Sequence, residues 1–452
     1  MPNFKVLINK FENDGSLMSR ASRAGSWTMF GDMVSQSLRL GGNLILTRLL
    51  FPEAFGLMAI VQSILVGVAL VSDIGVESSI IRSENGWKPR FLNTAWTMQI
   101  LKGMFIWLVI CMLAPISAAF YQEPMIADLM PIVGFSSVIA GLVSTKYHLA
   151  LREMLLKKRI LIEVGSYMFG LTVTVVWAWI DHSIWSLVWG GLLAATVKVA
   201  ASYYLMEGPG NKIAWDRDSV VELFDFGQWV FISSILTFLA GEGNKLLLGM
   251  FLGIKLLAFF TLASTMSLMF WLTVQRLSAK VLFPAYSEIV RERPERLRIA
   301  SAKSRLLLII PGWFVALFFV LWGDRFMWFL YDERYAESGD MLRLLSAGSL
   351  VGVLGASYNG LLWAKGMVKT STMLLAVQIV TQVIVLIISH HFLGVHGVLL
   401  SVAAVSWLLY PLQAYVHFRI GVWTPMIDLP VIALSVLVVV SNFNVIINNG
   451  WN

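Results

Sequence analysis

The chain has 452 residues, 58% of them hydrophobic and 13% charged, with a mean hydropathy of +0.75. That balance excludes a soluble fold and describes a polytopic, all-α membrane protein. The net charge of +7 would suggest nucleic acid in a soluble protein, but here the positive-inside rule accounts for most of it and no nucleic-acid partner is implied.

Residues 1–24 lack the apolar core of a cleavable signal, so the first span is expected to direct its own insertion. Within them Phe4, Leu7, Ile8 and Phe11 recur at helical spacing with Lys5 and Lys10 between. This stretch reads either as a short interfacial helix or as a tail upstream of a start at Met18. Hydropathy then predicts spans at 26–48, 55–78, 92–115, 126–144, 160–180 and 185–205, an N-terminal lobe over 25–206. A polar stretch at 207–225, with Gly208-Pro209-Gly210 and alternating charges, reads as a cytoplasmic linker. Spans at 227–250, 256–276, 304–322, 340–363, 371–392 and 395–416 follow, a C-terminal lobe over 226–418. The tail 419–452 holds a candidate thirteenth span at 429–447. The lone cysteine, Cys111, lies in an apolar segment and excludes an intrachain disulfide framework.

Orientation follows from lysine and arginine in the short loops. Arg20 and Arg23 precede the first span, Arg82, Lys88 and Arg90 follow the second, and Arg152, Lys157, Lys158 and Arg159 follow the fourth. The run at 291–305 adds Arg291, Arg293, Arg296, Arg298, Lys303 and Arg305. All fall on one side if the amino terminus is cytoplasmic. Cysteines introduced as Arg293→Cys and Glu123→Cys are therefore expected to label from opposite faces of an intact membrane; labelling from the same face would overturn the topology.

A weak internal repeat supports two halves. Gly41 to Gly56, GGNLILTRLLFPEAFG, ends one apolar helix and opens the next, and Gly241 to Phe260, GEGNKLLLGMFLGIKLLAFF, resembles it. Setting Gly42-Asn43 against Gly243-Asn244, with one extra residue in the turn, brings Phe55-Gly56-Leu57 onto Leu257-Ala258-Phe259. Transporters built from two repeats show this kind of self-similarity.

Six strings carry a resemblance to a known family. They are TRLLFPEAFGLMAI at 47–60, SDIGVESSIIR at 72–82, APISAAFYQEP at 114–124, NKLLLGMFLGIKLLAFFTLA at 244–263, VLFPAYSEI at 281–289 and RFMWFLYDERYAESGDMLRLLSAG at 325–348. In this order and spacing the chain resembles the polysaccharide flippases (Wzx-type) of the multidrug, oligosaccharidyl-lipid and polysaccharide exporter superfamily. The resemblance implies two six-helix lobes around a central cavity, and movement of an undecaprenyl-pyrophosphate-linked oligosaccharide from the inner to the outer leaflet of the bacterial inner membrane. Two features depart from it: the second turn reads Leu257-Ala258-Phe259 where a Leu-Gly-Tyr-like pattern is usual, and a thirteenth span would place the carboxyl terminus outside.

A pyrophosphate needs cationic side chains facing the transport path. The candidates are Arg39 and Arg48 on the first span, Lys198 on the sixth, Lys245 on the seventh and Arg276 on the eighth. Arg48, Arg276 and Lys198 lie near span ends and could instead reach the interface; Lys245 has Glu242 three residues earlier and could form an ion pair. Arg39 sits deepest and has no acid at helical spacing. Asp73 and Glu77, near the end of the second span, and Glu242 are candidates for coupling to an ion, sodium or proton, with a hydrated helix end as the plainer reading of the first two. His390, His391 and His396 lie close together, but no cysteine or carboxylate stands at ligand spacing, so no metal site is expected. No phosphate-cradling glycine loop is present, and no cofactor is expected. Gly348, Gly352 and Gly355 line one helix face and predict close helix packing.

The reading that results is a flippase and not an enzyme, with lipid-linked oligosaccharide and membrane lipids as partners and glycan polymerase and export machinery as neighbours. The rivals are an ion-coupled multidrug exporter of the same superfamily, which would need carboxylates along the path, a membrane-embedded polymerase or ligase, and a scaffold for glycan assembly, which would not need Arg39.

Overall fold

In the computed structural model the described residues are 17–73, 75–152, 156–223, 234–235, 238–239, 241–277, 286, 289–290, 295, 297–331 and 333–442. They form helices and connecting turns, with no strand among them. The chain separates into two compact units, one of 1–54 with 61–238 and the other of 55–60 with 239–452.

The first unit contains α1 (Leu17–Leu49), α2 (Pro52–Val71, apart from residues 55–60), α3 (Val76–Arg82), α4 (Pro89–Tyr121), α5 (Met125–Gly141), α6 (Thr145–Arg152), α7 (Leu156–Asp181) and α8 (Trp185–Tyr204). Pro52 and Pro89 stand in the first turns of α2 and α4, where a missing N–H costs nothing. α4 packs on α5, α7 on α8, and α1 on α7. A buried apolar cluster of Val76, Ile80, Phe91, Leu92, Met98, Leu149 and Leu223 fixes α3 to α4, α6 and the end of the linker.

The linker is not slack in this unit. The backbone N–H groups of Lys212, Ala214 and Asp216 donate to the side chains of Asn93, Thr97 and Thr94 at 3.0, 3.1 and 3.1 Å, all on the first turns of α4. Asn211 receives a hydrogen bond from Ser144 Oγ at 2.7 Å and donates to Thr145 Oγ1 at 2.6 Å. The Glu222 carboxylate accepts from Ser83 Oγ and, at 3.0 Å, from Asn85 Nδ2.

The second unit contains α9 (Glu242–Leu277), α10 (Leu297–Leu330), α11 (Ala336–Ala356), α12 (Asn359–Ala364), α13 (Val368–Arg419) and α14 (Pro425–Ser441). Its hub is α11, whose apolar window is 78% buried, against 6% for that of α13. The predicted glycine stripe explains how a helix sits so deep: a Cβ at Gly348 would approach backbone atoms of Ala403 on α13 to 2.7 Å, so the two helices touch where only hydrogen fits.

Eight helices among the described residues are long and apolar enough to cross a membrane, and α5 with α6, bent by 62°, would make a ninth. Every predicted span except 227–250 overlaps one of the helices or one limb of α13, which breaks at Gly394 (φ 59°, ψ −138°) between the two spans predicted there; the span predicted at 340–363 runs past the end of α11 at Ala356 into α12. Most of 227–250, the N-terminal stretch 1–16 and most of the basic loop 291–296 lie outside the described residues. The candidate thirteenth span falls on α14, which at 17 residues is too short to stand among those eight. The repeat is visible in the backbone: in the register that aligns Gly42-Asn43 with Gly243-Asn244, Pro52, which restarts the helix after Leu49, falls on Gly253 (φ 72°, ψ 172°), where α9 breaks.

One boundary needs correction. The second span ends at Val71, not 78, so Asp73 and Glu77 do not share a helix face. Asp73 lies in the break and accepts the Gly75 N–H at 3.2 Å, Gly75 adopts φ 63°, and Glu77 sits in the first turn of the separate helix α3. The local turn made by the aspartate competes with helix continuation and a left-handed glycine ends it.

Candidate functional site

In the first unit the short helices α3 and α6 gather a charged cluster. His148, on α6, lies with Nδ1 at 2.9 Å from Glu77 Oε2 and Nε2 at 3.2 Å from Gln99 Oε1 on α4. The other oxygen of Glu77 accepts from Arg159 Nη2 of α7 at 3.1 Å. The histidine hydrogen bond and the Arg159 guanidinium outweigh burial and hold the Glu77 carboxyl down at about 2. Arg159 Cζ lies 4.5 Å from the centroid of the Tyr147 ring and Lys198 Nζ, from α8, 5.0 Å. Tyr147 in turn donates to Glu163 at 3.4 Å. Arg152 locks α6 onto α3 by donating from Nη1 to the carbonyls of Ile80 and Ser83, each at 2.6 Å. Asp73 pairs with Lys102 of α4 at 2.6 Å.

The structure therefore brings together two of the predicted residues, Glu77 and Lys198, around Tyr147, and adds His148 and Gln99, which the sequence reading did not single out, and Arg159, which it took as a topology signal; Lys102, also not singled out, holds the predicted Asp73. Arg39 is exposed on α1, its guanidinium 5.9 Å from the Tyr167 ring centroid on α7. Arg48 is exposed in the last turn of α1. Lys245 pairs with Glu242 at 2.9 Å, the alternative weighed for it. Arg276 belongs to α9, and its side chain lies outside the described residues.

The second unit contains a polar site of another kind. Arg305 of α10 and Asp428 of α14 form an ion pair at 2.7 Å with both side chains 0% exposed. Arg305 also donates from Nε to Ser357 Oγ at 2.8 Å and from Nη1 to Thr424. The hydroxyls of Tyr358 and Tyr410 both donate to Asp428 Oδ2 at 2.8 Å. Arg305 Cζ stands 3.4 Å from the centroid of Tyr358 and the His417 ring stacks at 3.8 Å; two groups that close to one ring occupy opposite faces. Charges removed from water persist only when so fully compensated. The sequence reading assigned Arg305 to the cytoplasmic basic run and passed over Asp428; the available signal was an aspartate three residues into an apolar helix behind Pro425.

Among the described residues no group of three or more histidine, cysteine, aspartate or glutamate side chains could hold a metal.

A family model described as "Polysaccharide biosynthesis protein" matches residues 45–340. The lipopolysaccharide biosynthesis protein WzxC of Escherichia coli K12 is 22% identical over 437 residues, covering 93% of this chain and 88% of that protein. Two solved structures share the fold: a multidrug resistance MATE-family transporter of the MOP superfamily, inward-facing, with TM-score 0.66 at 13% identity over 85% of this chain and 94% of that one, and the lipid II flippase MurJ, inward closed, with TM-score 0.65 at 12% identity over 94% of each. Identities so low carry the fold alone, an all-α, multi-pass membrane fold. With the family model spanning well over half its length, the chain belongs to the polysaccharide biosynthesis protein family of membrane transporters.

Proposed function

We propose that the protein is a flippase that moves an undecaprenyl-pyrophosphate-linked oligosaccharide across the bacterial inner membrane by alternating access, with its amino terminus in the cytoplasm, for exopolysaccharide, capsule or O-antigen synthesis. The family supplies the glycan context and the fold a transporter. The observation that carries the reading is Arg39: a guanidinium exposed near the middle of α1, the segment that hydropathy predicts as the first span, is costly against hydrocarbon and suited to a watery path. A cation there suits a pyrophosphate and repels the organic cations of a multidrug exporter. The carboxylates that such an exporter would need, Asp73, Glu77 and Glu242, are each engaged by a cation of this chain. Coupling to an ion and handover to a glycan polymerase and export machinery fit the same reading.

Deletion of the gene should leave complete lipid-linked oligosaccharide trapped in the inner leaflet, read by leaflet-specific labelling of spheroplasts. Intermediate found complete but unpolymerised in the outer leaflet would instead favour a polymerase.

A further inference from the structure

Helix α1 carries polar side chains at a helical repeat. Asp32, Gln36, Arg39 and Asn43 follow one another at intervals of four, three and four residues, which at about 100° per residue sets all four within an arc of about 60°. Phe30, Met33 and Ile45 stand exposed on the far side, an apolar face suited to lipid. Gln36 and Asn43 are half-buried, and among the described residues no hydrogen bond engages either carboxamide; Asp32, at the end of the stripe, has a partner within the chain. A carboxamide so placed on the predicted first span is costly unless water or a polar ligand meets it.

Contacts with α7 fix how the stripe is presented. A Cβ at Gly31 would stand 2.5 Å from the Ile160 side chain, and one at Gly42 2.6 Å from that of Leu171. The separation in sequence is the same for both pairs, so α1 and α7 run side by side in one direction. Gly31 and Gly42 lie about a quarter-turn from the stripe, so its polar groups flank the seam between the helices and are not spent in it. In this register Tyr167 stands level with Leu38, between Gln36 and Asn43. Its half-buried ring has the Arg39 Cζ 5.9 Å from its centroid.

We propose that Gln36, Asn43 and the Tyr167 ring form the subsite for the sugar joined directly to the pyrophosphate, with Arg39 at the join; the assignment rests on the flippase reading above. Covalent attachment sets the distance, since the first sugar must lie beside a pyrophosphate gripped by Arg39. Along α1, Gln36 is about 4.5 Å and Asn43 about 6 Å from Arg39 at 1.5 Å per residue, on the same face. Each carboxamide offers two donors and an acceptor, and sugar hydroxyls both give and take hydrogen bonds, so amides answer them where further charges would not. The tyrosine supplies the apolar counterpart, a flat face for the C–H side of a sugar ring.

The test uses the full chain in nanodiscs and two probes: lipid-linked oligosaccharide extracted from the deletion strain, and undecaprenyl pyrophosphate without sugar. Wild type should bind the first at least about tenfold more tightly than the second, as two neutral hydrogen-bonding groups allow. Gln36→Met and Asn43→Leu nearly keep side-chain volume and remove the hydrogen-bonding groups. Each should weaken the sugar-bearing probe about three- to tenfold more than it weakens undecaprenyl pyrophosphate. Tyr167→Leu should act likewise, and Tyr167→Phe, which keeps the ring, should weaken the sugar-bearing probe less. Arg39→Ala should weaken both probes alike. Retained binding of undecaprenyl pyrophosphate marks a variant as folded. A wild-type protein with no preference for the sugar-bearing probe would overturn the subsite and leave the flippase reading in place. So would Gln36→Met and Asn43→Leu proteins that weaken both probes equally, or neither. A deletion strain that accumulates no lipid-linked oligosaccharide would instead sink the flippase reading, and the subsite with it.

Discussion

Asp428→Ala is expected to be the most damaging single substitution in the second unit. It leaves the Arg305 guanidinium, wholly out of water, without its counter-charge and strips both Tyr358 and Tyr410 of their acceptor. Breaking a buried pair by removing one partner costs about 3–5 kcal/mol, a large share of the roughly 5–15 kcal/mol that separates folded from unfolded domains. Membrane abundance and the thermal midpoint of the purified protein should both collapse, and Arg305→Ala should do the same. The double variant Arg305→Met with Asp428→Leu should recover part of the loss, because no charge is then left buried. The two tyrosine hydroxyls still lose an acceptor at about 1–3 kcal/mol each, so recovery stays incomplete. Either single variant with an unchanged midpoint would show that the pair is not what holds α14 to α10.

Arg39 should behave in the opposite way, losing activity without losing stability. It is exposed, and an aromatic face at 5.9 Å is the partner recorded for it, so alanine removes little packing. A guanidinium grips two phosphate oxygens at once through a planar fork, which an ammonium cannot match. Loss of a charge-assisted pair worth about 1.5–3 kcal/mol should cut export by about ten- to a hundredfold in Arg39→Ala at normal abundance, with Arg39→Lys between. Both are measured as polysaccharide exported per cell alongside the level of protein in the membrane. Undiminished export in a correctly inserted Arg39→Ala protein would make the arginine structural.

The two sites differ in how far the bare sequence could reveal them. Arg39 was picked out because a charge predicted at mid-span is anomalous wherever it points, and depth along one helix needs no knowledge of neighbours. Breaks at Pro52 and Gly394 were legible, the one at Gly75 was not, and the glycine stripe at Gly348 announced close packing. The Arg305–Asp428 pair was not, since its partners lie more than a hundred residues apart and its arginine already had an explanation as a topology signal. Glu77 was chosen, but as one of two acids on an imagined continuous helix. What gives it meaning is His148 from α6, and a tyrosine-histidine pair in a short polar connection has no periodicity to single it out. Helices that are apolar on every side do not disclose which face meets which neighbour.

The way the polar linker is fastened decides what its sequence is free to be. Asn93, Thr94 and Thr97 grasp peptide N–H groups at 212, 214 and 216, every second residue, while Ile213 and Trp215 project outward, 80% and 60% exposed. Recognition of this sort reads spacing and ignores identity. Almost any side chain can occupy these positions, but proline cannot stand at 212, 214 or 216, and one inserted residue would present the wrong amides to all three side chains. The stretch is a ruler more than a hinge: it fixes, to the residue, how much chain the first unit keeps before the rest is paid out.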